Sequence, residues 1–198
     1  IEGCVFDHGA PAIPNEVAKH FVPDTKLANE QWLLDKSSTH CPIGGVSNFG
    51  RDIAAGLKVQ QSKTILGCQR DGENFVLSLT EGRSIAGIET LILTAPPLQN
   101  AALIQEIEPT LGEELRETCR MSPAWVVLFK IADRFSRENY VFVPSEIITK
   151  VRHEHTKPGR KNSSQESWFV AECSSEWSED NLERSPEWVS MAVLEVLR

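Results

Sequence analysis

The chain has 198 residues, of which 24 % are charged and 40 % hydrophobic, and a formal net charge of −8 at pH 7. That length allows one large domain or two small ones with a real core, and the acidic balance disfavours bulk attraction to nucleic acid or to an anionic membrane. No apolar run reaches the roughly 18 residues that a membrane-spanning helix needs, and no secretory leader is legible.

In chain order, residues 3–7 read as a short strand running into Asp7-His8-Gly9-Ala10. A buried strand that arrives at glycine brings its backbone close to something. Pro11, Pro14 and Pro23 then break the chain into a loop, with one helical turn around 16–21. In CPIGGVSNFGRDIAAGL (41–57) a glycine turn precedes a helix expected over about 48–57, with Ser47 as its N-cap. SKTILGCQRDGENFVLSLTEG (62–82) predicts a β-hairpin over about 63–79, turning at Asp71-Gly72 and aligning Phe75, Leu77 and Leu79 on one face.

ETLILTAPP (89–97) is a compact apolar run, expected as a strand buried on both faces and closed by Pro96-Pro97. PTLGEELRETCRM (109–121) is helical, with Gly112 weakening its first turn. AWVVLFKIA (124–132), NYVFVP (139–144), IITKVRHEH (147–155) and ESWFVAECS (166–174) are further strand candidates. The polar, Pro/Gly-bearing segment 155–167 is a loop between the last two. Ser185 followed by Pro186 starts a closing helix whose apolar face is Trp188, Met191, Val193, Leu194 and Leu197. The pattern is α+β, divided at about residue 100, with the second half a sheet carrying helices on one face.

Recognised catalytic patterns are scarce. Ser47 fails the G-x-S-x-G elbow because Phe49 stands where the second glycine belongs, so helix capping is the better reading. His153 and His155 alternate on a strand and share a face, but with no third ligand in reach an exposed strand face is favoured over a metal site. His20, His40 and Cys41 form no ligand spacing. The five cysteines contain no C-x-x-C pair and read as small buried apolar residues of a reducing compartment, cytoplasm or organelle stroma. Neither a Walker A sequence nor a G-x-G-x-x-G turn is present.

Taken in order, VFDHGA, CPIGGVSNFGRDIAAGLKV, KTILGCQRDGENFVLSLTEG, TLILTAPP and SWFVAECSSEWSEDNLERSPEWV resemble the renalase-type FAD-dependent amine-oxidase family. The resemblance implies a partial FAD/NAD(P)-binding domain over 1–100 and a mixed-sheet substrate domain over 101–198. It implies that Gly9 and Ala10 reach the flavin, that Gly44, Gly45 and Val46 line the same cofactor, that Ile65 contacts the adenine side, and that Thr94 to Pro96 close a strand beside it. The implied chemistry is hydride transfer to flavin from a carbon–hydrogen bond next to nitrogen, on a small amine or dihydronicotinamide-type substrate, with reoxidation by oxygen. No side chain is assigned as a catalytic base.

The family's Gly-rich first strand–turn–helix would lie before residue 1, and its flavin-contacting C-terminal segment after Arg198. Pro11 replaces the usual Gln, and the gap from Ala10 to Pro42 is shorter than the family's. The expectation is therefore an incomplete flavoprotein fold, inactive alone and completed in its natural form or by a second polypeptide. The alternative is a non-catalytic remnant, a binding module whose apolar TLILTAPP strand is covered by a partner or by self-association. An unrelated α+β ligand-binding domain is the third reading.

Overall fold

The computed structural model of the chain describes residues 13–14, 27–34, 37–42, 44–132, 144–157, 160 and 166–198. The strand expected at 3–7, the helical turn around 16–21 and most of the strand expected at 139–144 lie outside the described residues. The architecture is α+β, and every described sheet pairing is antiparallel, where a mixed sheet was expected for the second half. Two compact units are present. One is Lys58–Met121, and the other joins the described residues up to Leu57 with Ser122–Arg198. This differs from the division at residue 100, because the hairpin and the helices after it pack together as one body.

In the middle unit, strands β4 (Ile65–Asp71) and β5 (Asn74–Leu79) form the expected hairpin. Asp71 pairs with Asn74, so Gly72 and Glu73 make the turn, and Gly72 takes φ +61°. Glycine adopts that left-handed conformation without a Cβ penalty. Leu77 and Leu79 are buried and Phe75 half-buried, as the alternation predicts. A third strand, β6 (Ser84–Ile88), pairs with β5 and was not anticipated.

The strand expected at 89–97 does not form. After β6 the chain runs to Pro96 without a strand partner among the described residues, and Ile92 is 80 % exposed. Asn100 Nδ2 instead donates to the carbonyls of Ala95 (2.7 Å) and Leu93 (3.5 Å). A local side chain thus takes the acceptors that a ladder would have used. Asn100 belongs to helix α2 (Pro97–Leu103), which packs on α3 (Pro109–Thr118) and on β4. The buried Gly112 lets the two helices close, since a Cβ there would lie 3.2 Å from the Ala101 carbonyl.

In the other unit, a small sheet of order β1-β3-β2 joins Ile13–Pro14, Leu27–Leu34 and Ser37–Pro42, numbered β1 to β3, and leads into helix α1 (Val46–Ile53). A second sheet, of order β7-β9-β8, joins Val126–Ile131 (β7), Ile148–His153 (β8) and Ser167–Cys173 (β9). On one of its faces Val127 and Phe129 of β7 and Phe169 and Ala171 of β9 pack with Ile148, Cys173 and with Val189 and Val193 of helix α5 (Pro186–Val196). Ser185 caps α5 by accepting from the Trp188 amide at 3.3 Å. Ser174 caps the short helix α4 (Ser175–Asp180) in the same way through Trp177.

Candidate functional site

The expected cofactor residues fall in two places. Gly44 and Gly45 form the turn between β3 and α1, and Val46 is the first residue of α1. Gly44 and Gly45 have φ +78° and +105°, a conformation that requires glycine. The Gly45 amide donates to Pro42 O at 3.1 Å, and Gly45 O accepts from the Asn48 and Phe49 amides. Gly45 is the N-cap of α1, with no side-chain cap, so Ser47 is not the capping residue expected from the sequence. Its side chain is exposed in the first turn, because the backbone bend at Gly45 starts the helix two residues earlier.

A Cβ on Gly44 would collide with Asn48 Nδ2, which donates to Gly44 O at 3.2 Å. The first glycine is thus explained by its own helix as well as by its φ. The turn still suits a flavin in one respect: it opens the N-terminus of an eight-residue helix, whose dipole favours an electron-rich group.

Ile65 and Pro96 belong to the middle unit. Ile65 opens β4, pairs with Leu79 and is 36 % exposed. Pro96 is the N-cap residue of α2, and with Thr94 it lies in the unpaired run rather than at the end of a strand. Gly9 and Ala10 lie outside the described residues.

A second cluster was missed by the sequence reading. His153 ends β8 and His155 lies in the 3-10 turn Glu154–Thr156, so the two do not alternate along one strand. Both are buried, contrary to the exposed face expected, at 7 % and 6 %. Register places His153 beside Phe169, which pairs with Phe129 on the far strand. Their rings form a ladder: His153 on Phe169 with centroids 4.5 Å apart, Phe169 on Phe129 at 5.2 Å, and His155 on His153 at 5.7 Å. Trp168 meets His155 edge-on at 5.7 Å. Burial, and secondarily the neighbouring His155, lowers the His153 pKa to about 4, so its ring is neutral at pH 7.

Glu154, fully buried, gathers three cations. Lys157 Nζ lies 2.7 Å and Arg152 Nε 3.8 Å from Oε1, and Arg160 Nη2 lies 3.5 Å from Oε2. Arg152 also bonds Glu172 of β9 through Nη1. The legible signal was the density of charge in KVRHEHTKPGR; its burial was not legible.

Among the described residues no three His, Cys, Asp or Glu side chains are grouped to hold a metal, and no helix is long and apolar enough to cross a membrane. An open cleft of about 580 Å³ is lined by Ser145, Glu146, Ser174, Glu176, Trp177 and Asp180. No protein-family model matches the chain, and no curated protein is significantly similar to it.

Proposed function

We propose that the chain is part of a renalase-type, FAD-dependent oxidoreductase. The observation that carries this reading is the β3–Gly44–Gly45–α1 turn, a strand delivered through two left-handed glycines to a helix N-terminus. It stands in the CPIGGVSNFGRDIAAGLKV segment that carries the resemblance. Gly44, Gly45 and Val46 would hold the cofactor there, the helix dipole favouring its electron-rich edge. Bound FAD would supply the redox chemistry, accepting a hydride from a carbon–hydrogen bond next to nitrogen and passing the electrons to oxygen. The protein's own part is to position the donor carbon and exclude water. An amine or a dihydronicotinamide fits that chemistry equally.

A second reading, a binding module without catalysis, is favoured by one observation: the run from Thr90 to Pro96 has no strand partner among the described residues, and Ile92 is 80 % exposed. One experiment separates the two. The protein in its natural full-length form is incubated with FAD, freed of unbound cofactor and scanned through the flavin band at about 450 nm. Retained flavin that is bleached by an amine or a dihydronicotinamide under nitrogen, and restored by air with release of hydrogen peroxide, supports the oxidoreductase. A protein that stays colourless overturns it.

A further inference from the structure

The stacked histidines at the end of β8 are titratable groups that the proposed redox function does not use. We propose that the end of β8 and the turn after it form an acid-sensitive clasp, in which protonation of the buried His153–His155 pair releases residues 153–157 from β9 while the β7–β9 pairing stays intact. His153 is the last residue of β8 and the last ring of the Phe129–Phe169 ladder, so its departure breaks only the final rung. His155 stacks on it at 5.7 Å, and a proton on either ring raises the electrostatic cost of a proton on the other. Neither ring can be hydrated in place, since both are buried.

The charged groups on the elements around the pair, among the described residues, are Lys150, Arg152, Glu154, Lys157 and Arg160 of β8 and its turn, Glu172 of β9, and Lys130 of β7, which pairs with Glu166. Opening the turn would also part Glu154 from Arg152 and Arg160, while Lys157 moves with it. The sign follows from linkage. The folded pKa of His153 is depressed to about 4 from 6.5, so the opened form binds the proton first. The stability of the closed turn is complete above pH 6.5 and is lost as pH falls towards 4.

Hydrogen exchange of the whole protein, followed by mass spectrometry and corrected for the intrinsic pH dependence of exchange, tests this. Between pH 7 and pH 4 the segment 153–157 should lose protection while Val126–Ile131 keeps it. His153→Phe, which keeps a ring on Phe169 without a titrating group, should move that loss down by about one pH unit or more. Loss of both segments together, no loss at all, or an unchanged midpoint in the variant overturns the proposal. Should the variant not fold, the ring resonances of His153 and His155 in the unaltered protein decide. Protonation in step with the loss of protection supports the clasp, and protonation without it overturns it.

Discussion

Lys157 Nζ lies 2.7 Å from Glu154 Oε1, and both side chains are at most 1 % exposed. A buried ion pair of this kind is weak evidence of net stabilisation, but removing one partner is strongly destabilising, because the other charge stays out of water. Glu154 also faces Arg152 and Arg160, so its carboxylate is shared. Glu154→Gln should therefore destabilise its unit by about 3 kcal/mol or more. Urea unfolding followed by tryptophan fluorescence measures this in the right place, since all five tryptophans lie outside 58–121. A loss under about 1 kcal/mol would mean that the carboxylate is not the centre of the cluster.

Phe169 is fully buried and stacks on both Phe129 and His153. Phe169→Ala should cost about 3–5 kcal/mol through lost burial and the cavity left behind. It should also let water reach His153, raising that pKa from about 4 towards its ordinary 6.5. The variant should therefore lose less stability than the parent between pH 6.5 and pH 4, because the gap between the folded and unfolded pKa of His153 narrows, which denaturation at a series of pH values records.

Ser185 caps α5 through the Trp188 amide, and the Glu187 carboxyl is held below its ordinary pKa by its own backbone amide and by Ser185. Ser185→Ala should cost about 1 kcal/mol, whereas Ser185→Gly should cost only a few tenths, because glycine leaves that N–H open to water. Equal effects of the two substitutions in thermal unfolding would show that the cap bond contributes little.

Burial pushes the Cys173 thiol up to about 11. Cys173, Cys68 and Cys41 are all buried, while Cys119 is partly exposed. Iodoacetamide at pH 8 should therefore label Cys119 in the folded protein and reach the three buried thiols only in denaturant. Peptide mapping of the labelled chain reads this directly. Modification of Cys173 at the rate of Cys119 would contradict its packing in the core with α5.

The local signals that held were those whose partners lie close in sequence. Alternation on either side of Asp71-Gly72 specified the hairpin, since the turn sets the register. Ser185-Pro186 specified the start of α5, because a cap and a first-turn proline act within a few residues. Pro96-Pro97 carried the start of α2 as well, though it reads equally as a strand terminator.

Three features depended on partners far along the chain. An apolar run such as 89–96 is hydrophobic enough for an inner strand, yet a strand needs an edge to pair with, and β5 had already accepted Ser84–Ile88. His153 and Glu154 look like surface residues in composition; the pairing of β8 with β9 buries the first, and the packing of the turn after β8 on β9 accompanies the burial of the second. The α+β class and the glycine turn at 44–45 were readable from residue types and spacing, because backbone sterics and hydrophobic periodicity act locally. Which segments share a core, and which charges leave water, were decided by long-range packing, because burial belongs to the assembled sheet and to no residue alone.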